Sequence, residues 1–389
     1  MPTHVGPNIS GEENLVFGYN LSDQKNSYLG EPTTNQANTD YARTIQFHNQ
    51  GSYNNAGTIS DAPEKGTDWK KIVITDRGNN FRIAQFPYII QTYGTTKVYS
   101  VEYDFGLTSG YFFYGDGSSG FGVLQDDGKR TTARFTPPSS SDWYEALFLG
   151  HNTPASGIND TIYYRYYQVE EKSYPTRYTP TSRSSTQGLL DLTGNNTINI
   201  STTSFDNSSQ LIFDGSDDYI TLSSTSHPTG SCSMEIVINH THNFVGTRYL
   251  LYGASGTAFS VFFRGDWAGN LLYFTRRVTS SGNYGDSSWG YTTGIYQPIP
   301  ANETMHLIFT HDASTGEFKC YKNGILTRTV NGNLAAYGAL NTTQQSHYIG
   351  GTPGDNLPMT LPLFKFHDRV LSSSEVLNNY NNTKRKYGI

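Results

Sequence analysis

The sequence predicts an all-β protein built from two sandwich or jelly-roll domains, and three observations predict it. Short runs of β-branched and aromatic residues, bounded by Gly, Asn, Asp and Ser, recur from end to end. Helical periodicity is confined to one segment near the C-terminus. Aromatics make up 14% of the 389 residues and charged residues only 15%, which supplies the apolar area that a globular chain needs to offset the entropy of ordering.

The elements follow in order. Residues 1–38 carry Gly6-Pro7, Gly30-Glu31-Pro32 and many Asn, are short of strand patterns, and read as an N-terminal arm that packs on something else. Residues 39–183 hold the runs KKIVITD, KVYSVEYDF, GYFFYGDG, YEALFLG and TIYYRYYQVEE, each with turn residues at its ends. In the last of these, strict alternation places Tyr163, Arg165 and Tyr167 on one face and Tyr164 and Tyr166 on the other. The stretch SYPTRYTPTSRSSTQG then offers two prolines and a Ser/Thr run without apolar alternation, so a domain boundary falls near Ser184. Residues 184–389 form a second sandwich from SQLIFDG, DYITL, SMEIVINH, RYLLYG, FSVFFRG, LLYFTRR, MHLIFTHD and EFKCYKNG. The segment SSSEVLNNYNNTKRKYG closes the chain as a helix, with Ser372 or Ser374 as its cap and Val376, Leu377 and Tyr380 on one face.

Charge and composition exclude several functions. With 27 Lys+Arg against 33 Asp+Glu there is no basic field to hold nucleic acid. No run of about 18 apolar residues predicts membrane insertion, and the first residues lack an export signal, so synthesis in the cytoplasm is expected. Cys232 and Cys320 are too few for a disulfide framework or a four-ligand zinc site and read as buried thiols rather than a bridge.

Catalytic constellations are not evident. Glu170 and Glu171 are adjacent on a strand and point to opposite faces, the wrong arrangement for two carboxylates acting on one bond. Neither a nucleophile elbow nor a phosphate-binding loop occurs. His240 and His242 stand two apart and read as a solvent-facing pair. The chain is therefore expected not to be an enzyme.

Two binding features stand out. Sugars present flat C–H faces that stack on aromatic rings, and Trp267, Tyr273, Tyr284 and Trp289 lie among Gly, Ser and Asn as candidate glycan-binding residues, with packing as the competing role. Asp214, Asp217 and Asp218 surround a glycine and offer oxygens for a cation, although a turn in which they accept backbone hydrogen bonds is the plainer reading.

The second half carries a family resemblance. Phe213-Asp214-Gly215-Ser216-Asp217-Asp218-Tyr219 resembles the entry strand of laminin-G-like, concanavalin-like jelly rolls frequent in phage virion proteins. Ser233-Met234-Glu235-Ile236, the pair His306-Leu307-Ile308-Phe309 and Tyr321-Lys322-Asn323-Gly324, and the closing Phe364-Lys365-Phe366-His367-Asp368-Arg369-Val370-Leu371-Ser372 with Glu375-Val376-Leu377-Asn378-Asn379-Tyr380 resemble its later motifs in order. The resemblance spans residues 189–389. More weakly, Gln168-Val169-Glu170 and Tyr174-Pro175-Thr176-Arg177-Tyr178-Thr179-Pro180 make the first half similar to the carbohydrate-binding-module-like domains that precede such jelly rolls.

The resemblance implies a non-enzymatic virion structural protein: a head decoration or fibre, or a neck or tail appendage, exposed on the phage particle. Its implied partners are other virion proteins, reached through the arm of residues 1–38, further copies of itself as a trimer or dimer, and host-surface glycan. Calcium at Asp214, Asp217 and Asp218 is the implied cofactor. A polysaccharide-degrading enzyme on a concanavalin-like sandwich and a ligand-free capsid cement protein are the competing functions.

Overall fold

A computed structural model describes residues 14–36, 46–49, 52–53, 57–74, 82–85, 89–91, 95–104, 111–115, 120–123, 125–126, 130–135, 143–150, 161–222, 228–241, 246–253, 259–266, 269–276, 294–331, 347–351 and 356–389. Every described strand pairing is antiparallel, and the described helix is a single C-terminal one. The all-β class holds. No helix among the described residues is long and apolar enough to cross a membrane. The chain divides into two compact units, one comprising residues 32–184 and 207–209, the other the segment up to residue 31 with 185–206 and 210–389.

In the unit of residues 32–184, one sheet runs in the order Gly120–Val123, Tyr111–Gly115, Trp143–Gly150, Arg82–Gln85, Gln46–Asn49, Ser52–Tyr53. The other runs Gln125–Asp126, Arg130–Phe135, Lys97–Asp104, Thr161–Glu170, Lys70–Ile74, Gly57–Asp61. Ile72, Tyr99, Val101, Tyr103, Ile162 and Val169 are buried on this second sheet.

Strict alternation fails in the Thr161–Glu170 strand. Its register against Lys97–Asp104 shifts between Arg165 and Gln168, and Tyr166 has φ of 57°, the left-handed region that a bulky residue rarely enters. The bulge brings Tyr166 round to the side of Arg165. The Arg165 guanidinium lies 4.5 Å from the Tyr166 ring centroid and 4.6 Å from that of Trp69, and its Nε donates to Glu102 at 2.8 Å. Tyr166 stacks in turn on Tyr178, 4.6 Å away. Tyr167 is turned inward, and burial pushes its hydroxyl pKa well up.

Glu170 is buried and accepts from Thr33 Oγ1 at 2.6 Å, from the Thr176 hydroxyl, and from the Thr176 N–H at 3.0 Å. Glu171 is exposed. The two carboxylates thus sit in different environments, one buried and bracing the Pro-rich exit segment, the other at the surface, where it accepts from Gln36 Nε2 at 2.9 Å and pairs with Lys97 at 3.7 Å.

The second unit is a sandwich. Its first sheet runs Ser204–Phe205, Leu211–Asp214, Pro358–His367, Cys232–His240, Met305–Asp312, Glu317–Lys322, Ile325–Asn331. Its second runs Ile220–Leu222, His347–Ile349, Gly246–Gly253, Phe259–Asp266, Gly269–Arg276, Gly294–Pro298. Period-two burial sends Met234, Ile236, Leu307, Phe309, Phe364 and Phe366 from the first sheet, and Leu272, Phe274, Ile295 and Ile349 from the second, into one shared core. Cys232 and Cys320 lie in that core as free thiols, and burial pushes Cys320 up to about 12.

The arm expected over residues 1–38 departs from the structure at Leu15–Asn20, while residues 1–13 and 37–38 lie outside the described residues. Leu15–Asn20 is a strand paired with Pro358–His367, and Phe17 and Tyr19 are fully buried in the sandwich core. Gly18 allows the close approach, since a Cβ there would meet Lys365 Cγ at 3.0 Å and the Phe364 carbonyl at 3.1 Å. Asp191 fixes the strand from the other side, accepting from the Gly18 N–H at 3.0 Å. The run LVFGYN is a weak strand signal because Gly and two Asn flank and interrupt it; tertiary pairing outweighs that composition.

The helix spans Ser373–Tyr387, capped by Ser372 in a reciprocal capping box with Glu375. Arg369 holds Glu375 with contacts of 2.7 and 3.0 Å and, with Ser372, keeps its carboxyl at about 2. The buried face consists of Val376, Asn379 and Thr383, while Leu377 is 47% exposed, so the expected Val376–Leu377–Tyr380 face is rotated. The cause is polar: Asn379 reaches down to a buried glutamate on the sheet.

Candidate glycan-binding face

On the second sheet of the sandwich, residues that alternate with the core positions Leu250, Leu272, Ile295 and Ile349 form a row of half-buried tyrosines. Register alone assembles it. Tyr296 lies opposite Tyr273, Tyr273 opposite Phe262, Phe262 opposite Tyr249, and Tyr252 opposite Tyr348. A register shift between Tyr249 and Leu251 lets Tyr249 and Tyr252, three residues apart, meet edge to face at 4.8 Å. Tyr273 and Tyr296 are 5.4 Å apart, and Tyr348 meets Tyr219 at 5.5 Å. With strands about 4.8 Å apart, a row crossing five of them is roughly 20 Å long, enough for several consecutive sugar rings.

Arg328 closes one end, its guanidinium carbon 3.7 Å from the Tyr296 ring centroid. At the other end stands the acidic turn, joined to Tyr219 through the chain itself. Ligand atoms of Asp214, Asp217 and Asp218 come within 4.8 Å of one another. Asp218 is 1% exposed and accepts from the Ser204 hydroxyl at 3.1 Å and from the Asp214 N–H, while Asp214 accepts from the Ser216 N–H at 2.7 Å. Burial, with Asp214 beside it, raises the Asp218 carboxyl to about 6. Gly215, at φ of 86°, makes the turn, and a Cβ there would meet Pro358 Cδ at 2.7 Å.

The turn role of these aspartates is therefore realised at Asp218 and Asp214. The donor set also fits a hard cation, because all three ligands are carboxylate oxygens, two of them on exposed residues. Such an ion would sit at Asp214 and Asp217 and draw the Asp218 proton off.

Of the sequence candidates for stacking, Tyr273 falls in the row, while Trp267, Tyr284 and Trp289 lie outside the described residues. Tyr219, Tyr249, Tyr252, Tyr296 and Tyr348 were missed. Single tyrosines at non-core positions of LLYFT, GIYQP and HYIG were the available signal, but their alignment depends on register between strands far apart in sequence. His240, read as solvent-facing, is instead fully buried with Nε2 3.1 Å from the Ile299 carbonyl; its partner His242 is outside the described residues.

The order of the core strands, the acidic entry turn and the capped closing helix now stand together. Residues 214–377 match the concanavalin A-like lectin/glucanases superfamily, in its laminin-G type. This laminin-G-like domain includes the acidic turn and the whole tyrosine row, and it covers less than half of the chain. Among solved structures, the chain is similar to the botulinum neurotoxin serotype D ligand binding domain in complex with N-acetylneuraminic acid, at 11% identity and a TM-score of 0.41, over 51% of this chain and 49% of that one. It is similar also to the binding domain of botulinum neurotoxin DC in complex with rat synaptotagmin II, at 13% identity and a TM-score of 0.38, over 51% and 50%. The chain spans about half the length of these structures. No curated protein sequence matches it.

Proposed function

We propose that the chain is a non-enzymatic glycan-binding protein whose laminin-G-like domain engages polysaccharide on the tyrosine row from Tyr296 to Tyr219. The observation that carries this reading is the row itself. Five half-buried tyrosines on the sheet, aligned by backbone pairing, and Tyr219 beside them, bounded by Arg328 and an acidic turn, combine stacking faces with polar groups that reach hydroxyls. Calcium at Asp214 and Asp217 would stiffen the rim beside Tyr219.

We further propose that the protein is displayed on a phage particle, with other virion proteins and copies of itself as partners. The motifs in residues 213–219 and 364–380 support that placement by resemblance.

The test is binding to a glycan array, followed by titration of the best polysaccharide against Tyr273→Ala and Tyr296→Ala. Retained folding with binding weakened by about tenfold or more per ring is expected. Unchanged binding in both variants sinks the assignment of this face. Release of reducing ends from the polysaccharide would move the protein to the enzyme class, and no binding with stabilisation of particles would make it a cement.

A further inference from the structure

Arg328, at one end of the tyrosine row, is a cation without a counter-ion among the described residues. It belongs to Ile325–Asn331, the strand at one edge of the first sheet, while Tyr296 belongs to Gly294–Pro298, the strand at one edge of the second. Two adjacent pairs of side chains join these edges. Thr327 Oγ1 lies 2.7 Å from Gln297 Oε1 and 3.0 Å from the Cys320 carbonyl. One residue further along each strand, the Arg328 guanidinium covers the Tyr296 ring at 3.7 Å. The bond between Thr327 and Gln297 thus fixes the backbone from which Arg328 and Tyr296 project, so the cation is in place before any ligand arrives.

The guanidinium has a ring beneath it but no acid beside it. Nε is shut off from water and meets no acceptor, and the half-buried Arg328 makes no hydrogen bond or ion pair with a described residue. Two carboxylates on adjoining segments are already taken. Glu317, opposite Asn331 on the neighbouring strand, pairs with Lys319, and Glu303 pairs with Lys322 at 2.7 Å. A cation–π contact with one tyrosine offsets only part of the cost of drawing a guanidinium half out of water. The edge of the guanidinium stays open, and its planar N–H fork matches a carboxylate or a sulfate.

The row is therefore asymmetric in charge. Arg328 stands at the Tyr296 end, and the exposed Asp214 and Asp217 stand at the Tyr219 end. An anionic group on a glycan is drawn to the first end and repelled from the second, while uncharged sugars suit the rings between. We propose, resting on the reading of this row as the glycan site, that it selects a glycan with an acidic sugar at the Arg328 end. The guanidinium holds the carboxylate or sulfate of that sugar, and the neutral sugars stack from Tyr296 towards Tyr219.

A glycan array tests it, with hyaluronan and keratan sulfate oligosaccharides printed beside their carboxyl-reduced and desulfated counterparts. The full chain is compared with Arg328→Met, Arg328→Lys and Tyr273→Ala, with melting temperatures as the folding control. A charged glycan should bind more tightly than its neutral counterpart by about tenfold or more, as expected for a charge-assisted contact. Preference for the carboxylate pair alone identifies a sugar acid, and for the sulfate pair alone a sulfated sugar. Arg328→Met should abolish the preference and leave the neutral counterparts bound as before, and Arg328→Lys, which keeps the charge without the fork, should lie between. In the parent, raising salt from about 50 to about 500 mM should shrink the preference without any substitution. Equal binding within both pairs overturns the proposal, as does a folded Arg328→Met variant that keeps the preference. Either result with binding still weakened in Tyr273→Ala leaves the row standing as a neutral-glycan site. Binding that is unchanged in Tyr273→Ala sinks the row itself, so the two failures separate.

Discussion

Tyr19 and Phe364 stack with ring centroids 6.2 Å apart, which seats the first described strand in the core of a sandwich whose other strands begin about 180 residues later. The N-terminal segment is thus structural for the C-terminal unit. Phe17→Ala should destabilise that unit by about 3–5 kcal/mol, the usual cost of emptying a buried phenylalanine site. Urea unfolding of the full chain would measure it, and a fragment of residues 185–389 should unfold at lower urea than the same fragment supplemented with a peptide of residues 14–31. Equal midpoints would show that the strand is dispensable.

Glu235 gives the sandwich an acid-sensitive latch. Burial alone would raise its carboxyl, but Lys365, His306 and His367 together outweigh burial and hold it at about 2. Because that lies below the unfolded value near 4.3, its contribution is present above pH 4.3 and is lost as pH falls towards 2, to an extent of about 3 kcal/mol. Glu235→Gln should flatten this acid limb in a series of denaturation curves between pH 2 and pH 5. An unchanged slope would remove Glu235 as the cause.

Asp218 acts with the opposite sign. Its folded-state value of about 6 lies above the unfolded one near 3.9, so the native state holds the proton longer and loses stability as pH rises from about 4 to about 6. Calcium should oppose that loss by favouring the ionised turn. Melting temperatures with and without calcium at pH 7 should differ in the parent, and less so in Asp217→Asn. No calcium effect in the parent would leave the aspartates a turn-building role only.

The helix cap offers a local check. Ser372→Ala removes the acceptor for the Glu375 N–H and one half of the capping box, and should cost about 1 kcal/mol. Hydrogen exchange of the first helical turn should rise more than that of the core strands.

Tyr166 tests a strained conformation against the contacts that hold it. Its φ of 57° is costly, by roughly 1–3 kcal/mol, and is maintained by Arg165, Tyr178 and an Asp68 contact at 3.0 Å. Tyr166→Gly relieves the backbone while Tyr166→Ala does not, so the glycine variant should be the more stable of the two by about 1 kcal/mol. The reverse order would mean that the bulge relaxes when the ring is removed.

The sequence by itself determined the elements. Alternation in runs such as SMEIVINH and MHLIFTHD, the turn residues between them and the Ser372–Glu375 cap signal are local, and each of the quoted runs contains a described strand. The acidic turn at Asp214, Asp217 and Asp218 was legible for the same reason, since its donors lie within a few residues. Only the tertiary structure decided what depends on register across long stretches of chain. It paired Leu15–Asn20 with Pro358–His367, overriding the poor strand signal around Gly18. It brought Tyr166 to the side of Arg165 through one extra residue. It aligned Tyr273 with Tyr296 and Tyr252 with Tyr348, and it gave the oxygens of Glu235 to His306 and Asn379 rather than to the lysine opposite. Pattern fixes which way a side chain faces within its strand; which neighbour it then meets is set by packing between strands that sequence distance separates.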